Sequence, residues 1–190
     1  MSALTAEQLD ALDAAAIEAA EAFADWYYKA INDERKPQPA IAQAYTTSSP
    51  AYKAAGAPPA EIVVGGARLG LPQDLERMLA AQRRLVGSAR PARVVHEVES
   101  LDVHVANPDY RVAAPAELLV AGRMPPHQRL QLLVSVDGVV RFGDGPQAVV
   151  KTFHENFILV PNWDVLAQTR SGGRPTTRYL ISSQNFRRAG

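Results

Sequence analysis

The apolar residues of this chain recur every three to four positions at its start and every two positions at its end. Leu9, Leu12, Ala16, Ala19, Phe23, Trp26 and Ala30 form one stripe on a helix of about seven turns. Thr5-Ala-Glu-Gln8 reads as a capping box that opens it, and Asn32-Asp-Glu-Arg-Lys-Pro37 closes it with turn residues and a proline. Asp10, Asp13, Glu18, Glu21 and Asp25 occupy the other side. Trp26, Tyr27 and Tyr28 are expected to pack the end of this helix onto a sheet. A short helix near Ala40 to Tyr45 leads into the turn chemistry of Thr46-Thr-Ser-Ser-Pro50. Glu61-Ile-Val-Val64 reads as a strand stopped by Gly65-Gly66. A further helix starts with proline at its first turn in Gly70-Leu-Pro72, with Leu75, Met78, Leu79, Gln82 and Leu85 as its apolar edge and Gly87 as its end.

From there the period falls to two. Arg90 to Val105 reads as one long strand or a bent pair. Leu130 to Phe142, Lys151 to Pro161 and Thr177 to Arg187 follow as three more strands. Alternation puts Leu130, Leu132, Val134 and Val136 on one face of their strand, with Gln131, Leu133, Ser135 and Asp137 on the other. On the next strand Phe153, Phe157 and Leu159 are the bulky, core-forming row, which leaves His154, Asn156 and Ile158 for the opposite face. That second face is small, polar and mildly apolar, the mark of a sheet that packs against another protein. Helices first and long antiparallel strands afterwards make an α+β layout, a curved sheet wrapped around N-terminal helices. Residues 106–129 interrupt it with Pro108, Pro115, Pro125 and Pro126, enough to prevent a ladder-paired strand through most of the segment. We expect this insertion to project from a single domain spanning 1–190 and to contact cargo or an accessory factor. Trp163 is expected in an exposed loop or as a partly buried anchor of that loop.

Composition changes this picture little and excludes much. At 190 residues one domain is expected, and a chain without cysteine has no disulfide, thiolate nucleophile or cysteine-held zinc. No run is long and apolar enough for a transmembrane helix, and no signal-peptide pattern opens the chain, so the expectation is a soluble intracellular protein with no membrane partner. Residues 1–80 hold 6 Lys and Arg against 11 Asp and Glu, and residues 81–190 hold 14 against 9. Arg83, Arg84, Arg90 and Arg93 are candidate RNA contacts in the basic part, although zero net charge does not suit a free-standing nucleic-acid binder.

The order of pieces carries a resemblance. A helix ending in Tyr45-Thr-Thr-Ser-Ser-Pro50, a strand with Gly65-Gly66, and a helix after Gly70-Leu-Pro72 come first. Val136-Asp-Gly138, Phe153-His-Glu-Asn-Phe-Ile-Leu-Val-Pro161 and Tyr179-Leu-Ile-Ser-Ser-Gln-Asn-Phe-Arg187 follow. Together they resemble the nuclear transport factor 2 family over nearly the whole chain. The length and the 106–129 insertion are most similar to a fungal branch whose members are small subunits of the heterodimeric mRNA export receptor. The resemblance implies a cone-shaped α+β fold and a non-enzymatic subunit without cofactor or metal. It implies a larger partner with a matching domain, Phe-Gly nucleoporins and RNA bound through the complex, and shuttling between nucleus, nuclear pore and cytoplasm. The cargo it implies is mRNA and, in some cases, large ribosomal subunits. Matching the motifs adds Leu133, Ser135, Ser183, Asn185 and Arg187 to His154, Asn156 and Ile158 as the partner face, with Arg187 pairing a carboxylate across it. One departure matters. The family often has Asn-Asp where this chain has Ser183-Gln184, which removes the acid that a small-GTPase cargo pocket needs.

The same fold hosts enzymes, so the residues must decide. His96, Asp102 and His104 have even separations, and an unbroken strand would turn all three to one face, as a dehydratase or isomerase would use them. A bulge in so long a strand would separate them. His96 and His104 lie about 26 Å apart along a strand, too far to share a metal ion. Asp144, in Gly143-Asp-Gly145-Pro146, reads as a hairpin turn.

Overall fold

The computed structural model describes residues 5–33, 39–86, 93–120, 124–168 and 178–189. In chain order these form α1 (Ala6–Asn32), α2 (Pro39–Ala42), α3 (Pro50–Ala54), β1 (Glu61–Val64), β2 (Ala67–Leu69), α4 (Pro72–Val86), β3 (Val94–Asn107), β4 (Gln131–Phe142), β5 (Val149–Pro161), α5 (Trp163–Gln168) and β6 (Tyr179–Arg188). The six strands make one sheet in the order β2-β1-β6-β5-β4-β3, antiparallel except where β1 runs parallel to β6. Glu61–Val64 does not simply stop at Gly65-Gly66. Both glycines take positive φ, and the chain turns back into β2.

The capping box forms as expected, with the Gln8 N–H donating to Thr5 Oγ1 at 3.2 Å and Thr5 N–H to Gln8 Oε1 at 3.0 Å. The buried residues of α1 are Leu12, Ala16, Ala20, Phe23, Ala24, Tyr27, Tyr28 and Ile31. The stripe they form is rotated from the expected one. Leu9 is exposed, and Ala19, Trp26 and Ala30 pack at the margin of the core. The hydroxyls of Tyr27 and Tyr28 explain the rotation, because both find partners only inside the sheet. Phe23 and Tyr27 meet Phe157 edge-on at 5.2 and 5.1 Å between ring centroids, fixing helix to sheet.

The alternation read from β4 and β5 holds. Leu132, Val134, Val136, Phe153, Phe157 and Leu159 are buried against α1, with Glu155 beside them. β3 is bulged between Val98 and Ser100, and opposite the bulge stands Gly138. A Cβ there would meet the Glu97 carbonyl at 2.2 Å and the Phe153 ring at 2.8 Å, so only glycine fits.

The described residues of the 106–129 insertion do not project. Tyr110, Ala113, Ala114, Leu118 and Met124 pack on a second cluster of Tyr52, Val160, Trp163, Leu166 and Leu180. Trp163, expected near the surface, is fully buried and donates from Nε1 to the Val112 carbonyl at 2.8 Å. The neck of the insertion is closed by the Tyr110 N–H to the Arg129 carbonyl at 2.8 Å and by Asp109, which pairs Arg111 at 2.5 Å and Arg129 at 3.1 Å. Proline rules out strand pairing but not docking, and the apolar residues between the prolines supply the contact surface.

Candidate partner interface

The face of the sheet turned away from α1 is organised in rows, because residues paired across neighbouring strands share a face. One row runs His104, Leu133, Ile158, Ser183. The next runs Asp102, Ser135, Asn156, Asn185. The third runs Ser100, Asp137, His154, Arg187. The eight residues expected on the partner face, Leu133, Ser135, His154, Asn156, Ile158, Ser183, Asn185 and Arg187, therefore lie together. Asp102 and His104 join them, which the sequence reading missed. The signal was available in the parity of β3, but only once the bulge is counted.

Most polar groups in the middle of this face bond to one another. Ser135 Oγ donates to Asn156 Oδ1 at 2.7 Å, and Asn156 Nδ2 lies 3.0 Å from His154 Nε2. His154 Nδ1 lies 2.8 Å from Asp137 Oδ1. With its proton on Nδ1 given to Asp137, the imidazole accepts from Asn156, and the chain Ser135–Asn156–His154–Asp137 is consistent throughout. His104 pairs with Asp102 at 3.1 Å. Arg187 is exposed and makes no ion pair with the described residues. Beside Arg187 lies a shallow cleft of about 420 Å³ that includes Glu99, Asp137, Thr152 and His154. The face thus carries apolar Leu133 and Ile158 at one end and Arg187 at the other.

The opposite, concave face holds a different polar cluster. Glu155 Oε2 accepts from Tyr28 at 2.6 Å, and its Oε1 accepts from Gln184 Nε2 at 2.5 Å. The same Nε2 reaches Tyr27 at 2.8 Å, and Gln184 Oε1 accepts from Tyr45. Gln184 thus serves the buried carboxyl as a donor. Burial pushes Glu155 up to about 7, and the hydrogen bonds from Tyr28 and Gln184 oppose that rise. The cavity beside Glu155 and His96 measures about 20 Å³, room for one water and for no organic substrate.

The enzyme constellation does not assemble. The bulge after Val98 turns Asp102 and His104 to the convex face, while His96 stays in the core between Tyr28, Phe153 and Phe186. Burial, with help from Arg83 and Arg188, pushes His96 down to about 4. Among the described residues no group of acids and histidines could hold a metal ion, and no helix is long and apolar enough to cross a membrane. Of the four candidate RNA contacts, the two whose side chains are described are engaged within the chain. Arg83 is turned inward and donates to the Ile31 carbonyl at 2.6 Å, and Arg93 faces Asp144 at 3.7 Å. The Arg84 side chain and Arg90 lie outside the described residues.

No protein-family model and no curated protein matches the chain. Solved structures do. A chain of a Mex67:Mtr2 complex with bound Sac3N peptide is 35% identical with a TM-score of 0.79, and the structure of Mtr2 is 34% identical with a TM-score of 0.77. A chain of the Chaetomium thermophilum Mex67 NTF2-like domain complexed with Mtr2 is 36% identical with a TM-score of 0.78. Each match covers 92% of this chain and 99% of the other. With that identity over nearly the full length, this chain belongs to the Mtr2 family of nuclear transport factor 2-like proteins.

Proposed function

We propose that this chain is the non-enzymatic small subunit of a heterodimeric mRNA export receptor, its convex sheet face packed on the matching domain of a Mex67-type larger subunit. The observation that carries this reading is the full-length similarity to Mtr2, solved in complex with the Mex67 NTF2-like domain. The face supports it physically. Ser135, Asn156, His154 and Asp137 bond sideways within the sheet, so a second sheet can cover them without leaving them unpaired, while Asn185 Oδ1 has no partner among the described residues and is open to a donor from the partner. Leu133 and Ile158 offer the apolar contact, and Arg187 awaits a carboxylate. The complex shuttles between nucleus, pore and cytoplasm, binding Phe-Gly nucleoporins and RNA as a unit. An inward Arg83 and a balanced charge favour RNA binding by the pair over binding by this chain alone.

The test is co-purification with the larger subunit. Arg187→Glu, or the bulky Asn185→Trp, is expected to abolish the complex, while Lys53→Glu on α3 leaves it intact. Wild-type yield of complex from all three variants would put the partner on another surface.

A further inference from the structure

The sheet has two edges, and they are unequal. β2 is 3 residues long, whereas β3 has 14. A long edge strand offers unpaired N–H and C=O groups to any other strand, and a second copy of the same chain is always present to supply one. On β3 some of those groups are already engaged. Asn32, the last residue of α1, donates from Nδ2 to the His96 carbonyl at 2.8 Å and accepts from the His96 N–H with Oδ1, also at 2.8 Å. One primary amide thus makes both bonds that a facing residue makes in an antiparallel pair.

Two further features extend the closure. Asp102 Oδ1 accepts from the Val103 N–H at 2.9 Å, so a second amide of β3 is taken by a side chain. Between the two sites the strand bulges at Val98–Ser100, which breaks the regular spacing an added strand needs. The position of Asn32 is itself held, because Arg83 binds the Ile31 carbonyl next to it. Leu101, Val103 and Val105, partly buried beneath α1, are the apolar row that an added strand would otherwise extend.

We propose that Asn32 closes the long edge of the sheet against strand addition by a second copy of this chain, so that the molecule presents partners with its convex face and not its edge. This does not depend on which protein covers the convex face.

Asn32→Ala removes both bonds. Sedimentation velocity of the full chain, alone and with the larger subunit, should show the weight-average mass of the variant at least doubling over a concentration series in which the wild type is constant. Adding Val103→Pro to Asn32→Ala places a proline ring on the outward edge of β3, where an added strand would have to pair, and should restore the wild-type mass. Asn32→Asp keeps the acceptor but loses the donor, and should associate at higher concentration than Asn32→Ala. Circular dichroism reports whether each variant is folded, and if Asn32→Ala is not, Asn32→Asp carries the test. A folded variant that keeps the wild-type mass throughout, or association that survives Val103→Pro, overturns the proposal.

Discussion

Successive residues of β5 sit in two different chemistries. Glu155 and Phe157 look into the concave side, where polar atoms bond across layers, from the sheet to Tyr27, Tyr28 and Tyr45. His154 and Asn156 look outward, where polar atoms bond within the layer, to Asp137 and Ser135. The first pattern locks a helix in place, since moving α1 would strand a buried carboxyl. The second satisfies four side chains within the sheet and leaves Arg187 and Asn185 Oδ1 for a partner. A single strand thus specifies the fold on one side and recognition on the other.

The largest separation of the two faces should come from Phe157→Ala beside Asn156→Ala. Truncating Phe157 removes the ring that meets Phe23 and Tyr27, and is expected to destabilise the chain by about 3–5 kcal/mol in urea unfolding. Asn156→Ala should change stability by less than about 1 kcal/mol and instead weaken the complex. Equal stability losses would erase the distinction.

Next is Arg187→Glu, expected to weaken heterodimer affinity by about 2–5 kcal/mol in titration calorimetry while leaving the melting temperature of the free chain unchanged. A drop in that temperature would mean the arginine serves the fold instead.

Gly138→Ala probes the contact between the faces. Its methyl group would drive β3 and Phe153 apart, and about 1–3 kcal/mol of stability should be lost. A neutral result would show that the bulge adjusts.

The smallest effect is a flat line. Glu155 is raised to about 7, so its contribution is full below its ordinary value of 4.5 and fades as pH rises to 7. His96 is lowered to about 4, so its contribution is full above its ordinary value of 6.5 and fades as pH falls to 4. Between about 4.5 and 6.5 the two slopes oppose each other, and stability should barely vary. Glu155→Gln should uncover the histidine, giving a chain that loses stability on acidification from 6.5. Urea midpoints at several pH values decide this, and a variant as flat as the wild type would contradict it.

Much of the convex face could be read directly from alternation, because β4 and β5 keep a period of two from Leu132 to Val136 and from Phe153 to Leu159, although β6 shifts register between Ile181 and Ser183. The parity failed where the backbone adds a residue. Nothing in Val98-Glu-Ser100 announces a bulge, and without it His96, Asp102 and His104 look coplanar. α1 misled for another reason. Its apolar residues are so numerous that two stripes fit, and the hydroxyls of Tyr27 and Tyr28 chose between them. Trp163 and the insertion were misjudged together, since both pack into one cluster with Tyr52, Val160, Leu166 and Leu180 and neither segment alone shows a period. Arg83 resembled its basic neighbours in sequence, yet a backbone carbonyl at the end of α1 had the stronger claim on it.

The position of β6 carries a consequence for synthesis. The last strand made is not at the sheet's margin but between β1 and β5. Until it arrives the nascent chain holds two unjoined pieces, the β1–β2 hairpin and the β3–β4–β5 meander, and Glu155 lacks its Gln184 donor. Closure therefore waits for β6 to leave the ribosome, and these are contacts between residues far apart in sequence, which form slowly. Over that interval the exposed edges of β1 and β5 are open to chaperones, to aggregation or to early capture by a partner.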